Sequence, residues 1–274
     1  MRKYISVVVI FCIGLFGFFS VNKISNSVRD KDFLMYTIKE KEDDYLILPI
    51  EAIIENDTII PGKNGKKVNY NNSYHNMKRF GAFNDNFLVY DKIYPSQRLK
   101  NNYDKYIISG NKNDREISLI FDANNRYLDN IINVLRLNKI SANFLVDGLW
   151  GEDNVNNMSN ISVNNYLINK GYDGYYSDLT ILYTNSLINR FNSSFFCFLE
   201  EKNDDVIKLC KSRKMGTILS KKIDFRNYTD IDLENGKIVY LNIDKDNLRQ
   251  LSLLIKYIKQ KGYKIVTLVD LLKE

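Results

Sequence analysis

From Glu116 onward the chain alternates short apolar runs with amphipathic stretches, and this alternation narrows the available folds more than any other feature. EISLIF leads into YLDNIINVLRLN and ANFLV, SSFFCFLE into DDVIKLCKSRK and TILS, and KIVYLNI into a long helical stretch and KIVTLVDLLKE. Strands separated by helices pair in parallel, because a parallel neighbour is reached only by a crossover. In the first helix Leu128, Ile131, Ile132 and Leu135 share one face, which covers one side of a sheet. The last long helix starts near Asp246, aligns Leu248, Leu251, Leu254, Ile255 and Ile258, and stops at Gly262, a residue that accepts the left-handed conformation of a helix end. Thr267 and Asp270 have the spacing of a variant capping box for a short final helix. Residues 114–274 are therefore expected to form an α/β domain, a parallel barrel.

Residues 28–113 have another rhythm. YLILPIEAII, DTII and FLVY are short β-like runs, divided by a PGKNGKK turn and a short helix around Ser73 to Arg79. A small β-rich accessory region is expected, with Gly62, Asn64 and Gly65 supplying the positive φ of a tight reversal. His75, the single histidine, reads as an ordinary helix residue.

At the N-terminus, Ile5 to Val21 is a run of 17 apolar or small residues behind Arg2 and Lys3, at the lower end of the roughly 17–25 needed to cross a bilayer. Positive residues before the span keep the N-terminus in the cytoplasm and send the remainder outward. The stretch Phe18 to Lys23 lacks the small residues of a signal-peptidase site, so residues 1–23 are expected to be an uncleaved, single-pass signal-anchor of the cell membrane, with the bulk of the chain extracytoplasmic. Arg2, Lys3 and Lys23 account for three of the six net positive charges. The remaining +3 is interspersed with acids, which excludes the dense basic face of a nucleic-acid binder. Of the three cysteines, Cys12 lies in the apolar run, while Cys197 and Cys210 fall in a strand and a helix. They could bridge if those elements meet, although base rates of cysteine burial favour free thiols.

EISLIFDANNRYLDNIINVLRLNKISANFLVDG resembles the opening of the polysaccharide deacetylases, also called the NodB-homology group or carbohydrate esterase family four. SSFFCFLEEKNDDVIKLCKSRKMGTIL and KIVYLNIDKDNLRQLSLLIKYIKQKGYKIVTLVDLL resemble that family's later segments in the same order. The resemblance spans about Glu116 to Glu274 and implies a distorted (β/α)7 barrel with its site at the C-terminal ends of the strands. It also implies a divalent metal held by one Asp and two His, with a second Asp activating water.

Against that pattern this chain is depleted. Asp122 matches the general base, but Ala123 stands where the metal-binding aspartate would be, and Gly171 to Thr180 contains no histidine. Cys197 corresponds to the arginine that orients the base, with Phe198 and Leu199 in place of prolines, and Asn242 corresponds to the histidine general acid. Asparagine cannot transfer that proton. The expectation is a fold of deacetylase type with no metal site, no cofactor and no zinc-dependent deacetylation.

Three functional readings follow. The first is a pseudoenzyme that binds cell-wall or surface polysaccharide with Asp122, Trp150, Cys197, Asn242 and Asp244 at the strand ends; the bland counterparts are a Trp150 that caps the core and an Asp122 that ends a strand. The second is a metal-free carbohydrate hydrolase pairing Asp122 with Asp244, Glu200 or Glu201. The third is a structural or protein-interaction ectodomain.

Overall fold

The computed structural model describes residues 32–274. Ile5 to Val21 and Cys12, on which the anchor expectation rests, lie outside the described residues. Among those described, no helix is long and apolar enough to cross a membrane.

The described chain divides into two units, residues 32–49 with 64–94, and residues 50–63 with 95–274. In chain order its strands are β1 (Ile53–Glu55), β2 (Thr58–Ile60), β3 (Gly65–Val68), β4 (Tyr90–Ile93), β5 (Tyr106–Ile107), β6 (Glu116–Asp122) and β7 (Asn143–Val146). There follow β8 (Tyr166–Asn169), β9 (Phe196–Leu199), β10 (Gly216–Leu219), β11 (Lys222–Ile223), β12 (Ile238–Leu241) and β13 (Lys264–Ile265).

The smaller unit pairs β3 with β4 antiparallel and packs the helices Phe33–Glu40 and Tyr70–Met77 around Leu34, Met35, Ile38, Val68, Tyr74 and Met77. Asp32 caps the first of these helices by accepting from the Leu34 N–H at 2.8 Å, and it also accepts the Tyr74 hydroxyl at 2.8 Å. His75 is exposed on the second.

The larger unit is α/β. Its sheet runs β1-β2-β5-β10-β9-β8-β7-β6-β12-β11, with β13 added beside β6, and every pairing but that of β1 with β2 is parallel. The short segments at 50–60 and 106–107, read from sequence as part of an accessory region, instead extend this sheet beyond β10.

The seven strands from β10 to β11 curl into a half-barrel that does not close by hydrogen bonding. Its two borders are nevertheless consecutive in the chain, joined only by Ser220 and Lys221. The step from Leu219 to Lys222 can span at most about 11 Å, so the curl brings β10 and β11 together at their split.

Alternation along β6 sorts side chains to two sides. Ile117, Leu119 and Phe121 join the core under the helices Leu128–Leu137 and Asn247–Gln260, together with Ile131, Leu135, Leu251, Leu254, Ile255 and Ile258. Ser118, Ile120 and Asp122 face inward. There Ile120 meets Leu145, Ile168, Phe198, Ile218 and Tyr240, and the C-terminal helix Leu268–Leu271 closes one end of this second core. Polar pins hold that end: the Asn143 amide donates to Ser118 Oγ at 2.8 Å and its oxygen accepts the Leu268 N–H at 2.8 Å.

The expected helix stops hold. Gly262 has φ +81°, and the Thr267 side chain caps the last helix by accepting the Asp270 N–H. The structure corrects the expected turn residues: none of Gly62, Asn64 and Gly65 has positive φ, and the left-handed residue nearby, Asn56, belongs to a different reversal, between β1 and β2. Gly62 and Gly65 are glycines because backbone crowds them: a Cβ would stand 2.1 Å from the Ile50 carbonyl oxygen at the first and 2.2 Å from that of Ile47 at the second.

Candidate functional site

Parallel α/β folds place chemistry where the carboxyl ends of the strands meet, and in this chain that point is Asp122, the last residue of β6. Tyr240 reaches it from β12, where its Cα is in register with Ile120. Lys170, the first residue after β8, and Lys222, the first residue of β11, arrive from either side. Lys170 Nζ lies 2.9 Å from Asp122 Oδ1 and Lys222 Nζ 2.7 Å from Oδ2. The Tyr240 hydroxyl stands 2.8 and 2.7 Å from the two oxygens. Lys170 also donates to the Tyr240 hydroxyl at 3.0 Å, lies 3.6 Å from Glu200 Oε1, and, like Lys222, sits over the Tyr240 ring.

The electrostatics follow from this shell. Burial alone would raise the Asp122 pKa, but the Lys170 charge and the hydrogen bonds from Lys222, Lys170 and Tyr240 outweigh it and hold the carboxyl below its usual value. Tyr240 moves the opposite way, its phenol pushed up by burial and by the adjacent Asp122 carboxylate.

A divalent metal of the deacetylase type does not fit these residues. Ala123 offers no donor and is buried in the helix-side core, and an ammonium has no lone pair to give. Two ammoniums within 3 Å of the carboxylate would repel an incoming cation, and its oxygens are already engaged by these and by the Tyr240 hydroxyl. Among the described residues no cluster of three or more His, Cys, Asp or Glu side chains could hold a metal ion.

The sequence-predicted site residues scatter. Trp150 is half-buried and packs against the helix-side core. Cys197 is fully buried and bonded to Cys210, on the side of β9 that faces the helix Asp204–Ser212; the rim therefore has no thiol there, and the expectation of free cysteines is corrected. Asn242 donates to Asp224 Oδ1 at 2.6 Å. Asp244 Oδ1 accepts the Asp246 and Asn247 N–H groups at 2.8 and 2.9 Å, which makes it a helix-start residue. Glu200 alone of the candidate second carboxylates touches the Asp122 network, through Lys170.

Sequence reading missed Lys170, Lys222 and Tyr240. The available signal was position: each lies at the carboxyl end of an apolar run or projects inward from one. Beside the cluster, at the ends of β9 and β10, Glu200, Glu201, Lys202, Leu219, Ser220 and Lys221 line a cavity of about 490 Å³. A second cavity of about 530 Å³, between the helices Leu128–Leu137 and Val155–Ser162, opens at the opposite ends of the strands, remote from this chemistry.

No family model matches the chain. It is 26% identical over 272 residues to the uncharacterised protein YlxY of Bacillus subtilis, covering 89% of this chain and 85% of that one. Among solved structures, a mutant of a carbohydrate esterase family four pseudoenzyme, described as having restored enzymatic activity, is 25% identical and superposes with a TM-score of 0.64 over 88% of this chain and 98% of its own. The fold is that of carbohydrate esterase family four, and the likeness supports a divergent member of the polysaccharide deacetylase type. The wild-type form of that pseudoenzyme, from Bacillus anthracis, is 23% identical with the same TM-score over 89% of this chain and 96% of its own. The likeness to the esterase-family pseudoenzyme runs through both described units, well beyond the segment from Glu116 that carries the family's motifs.

Proposed function

We propose that this esterase-family chain is a catalytically degenerate, membrane-anchored ectodomain that binds cell-wall or surface glycan at the carboxyl ends of its strands, on a distorted (β/α)7 barrel. One observation carries the reading: Asp122, the matched general base, has both oxygens engaged by Lys170, Lys222 and Tyr240. A general base needs an open lone pair and a pKa near the working pH, whereas this carboxyl is held low and is surrounded by donors. The same crowding weakens the metal-free hydrolase reading, since three donors already engage both Asp122 oxygens and hold the carboxylate in its ionised, weakly basic form.

Two further points support the proposal. A related structure is described as a family four pseudoenzyme, and a mutant of it as regaining enzymatic activity, which fits a scaffold that loses chemistry by replacing a few side chains while keeping its groove. The Cys197–Cys210 disulfide suits the oxidising extracytoplasmic space to which residues 1–23 would deliver the chain.

The test is retention of the detergent-solubilised full-length protein on insoluble peptidoglycan and on chitin, with acetate and reducing ends assayed in the supernatant. Retention without either product is the expected result. Acetate release overturns the proposal, reducing ends establish the hydrolase instead, and no retention leaves the structural ectodomain. Protease added to intact cells should degrade residues 32–274; their protection would overturn the topology.

A further inference from the structure

Resting on the glycan-binding reading, we infer that Lys170 and Lys222 form a recognition site for an anionic substituent, a carboxylate or a phosphate, on the bound saccharide. The two lysine side chains are 28% and 31% exposed, while the Asp122 carboxylate between them is 14% exposed. A ligand at the mouth therefore meets ammonium groups first and the carboxylate behind them.

Each ammonium carries three N–H donors and no acceptor. Lys170 donates to Asp122 and the Tyr240 hydroxyl and is paired more loosely with Glu200, while Lys222, among the described residues, is paired with Asp122 alone and lies over the Tyr240 ring. The inner shell sets two positive charges against one negative. Glu200 makes up the difference loosely: it is 42% exposed, stands 3.6 Å from Lys170, and also lines the adjoining cavity. It holds a place that a ligand oxyanion can take.

Of the other charges nearby, Lys202 is paired with Asp57 at 2.8 Å and Asp224 with the Asn242 amide, while on the cavity wall Lys221 and Glu201 offset each other. A hydroxyl could accept from either lysine, but a hydrogen bond from ammonium to an oxyanion is roughly twice as strong as a neutral one.

The test measures binding of the detergent-solubilised full-length protein to three probes: a neutral N-acetylglucosamine tetramer, a tetrasaccharide alternating N-acetylglucosamine with glucuronate, and a glycerol-phosphate oligomer. At least one acidic probe should bind about tenfold tighter than the neutral one at low salt, and lose that advantage at high ionic strength as the charges are screened. Which acidic probe binds assigns carboxylate or phosphate. Lys222→Met, which keeps the stem over the Tyr240 ring, should bring acidic binding down to the neutral level, and Lys222→Arg should retain it, with thermal melts confirming that both variants fold. Equal affinity for all three probes, or acidic binding unchanged in folded Lys222→Met, overturns the inference and leaves the glycan reading standing. Binding of none overturns both.

Discussion

At Asp122 a carboxylate largely withdrawn from water stays ionised because two ammoniums and a phenol hydroxyl replace its hydration. Removing one member of such a set leaves the others uncompensated, and the loss exceeds that of a surface pair. Asp122→Asn should cost on the order of 2–3 kcal/mol in urea unfolding, because two lysines then share only the exposed, more distant Glu200 as a counter-charge; a cost near zero would show that the lysines turn out to solvent. The pH dependence has a definite sign. Since the folded-state pKa is lowered, the stabilisation is complete above the unfolded carboxylate value of about 4 and is lost as pH falls through the folded value. Wild type should therefore lose its advantage over Asp122→Asn in melts run progressively below about pH 4. Ala123, beside it, explains why sequence comparison alone understates the site: a missing ligand is visible in the chain, while the lysines that neutralise Asp122 are not.

Among the elements, β9 and the helix Asp204–Ser212 are stapled by Cys197–Cys210 across a separation of 13 residues. A loop of that size stabilises the fold by about 3 kcal/mol through the unfolded chain. Alkylating the denatured, unreduced protein should modify one cysteine, Cys12, and reductant should lower the urea-unfolding stability by about that amount; three modified cysteines would refute the pairing. The step from β10 to β11 through Ser220 and Lys221 matters as much, because it replaces a helical crossover with a short bridge across the split of the half-barrel. That bridge carries Lys222 into the mouth. In the sequence it reads only as a polar connector after TILS, since nothing local says that the next strand joins the far border of the sheet.

For the molecule as a whole, the donor set around Asp122 predicts indifference to metal. Because a ligand that binds only the folded state raises its melting temperature, zinc at micromolar excess or prolonged treatment with chelator should leave the melt unshifted, whereas a zinc-dependent rise of several degrees would contradict the cluster. By itself the sequence determined the α/β class, the helix faces, the stop at Gly262, the final cap and the family pattern with its losses, because each depends on residues a few positions apart, where periodicity and capping act. Only the tertiary structure decided that Asp122 is neutralised by Lys170 and Lys222, that Asp244 and Trp150 serve packing and capping, that Cys197 finds Cys210, and that 50–60 and 106–107 extend the main sheet. Those outcomes depend on strand order and on which border of a curled sheet meets which. Charges that look solvated along the chain become partners when curvature brings distant strand ends within hydrogen-bonding reach.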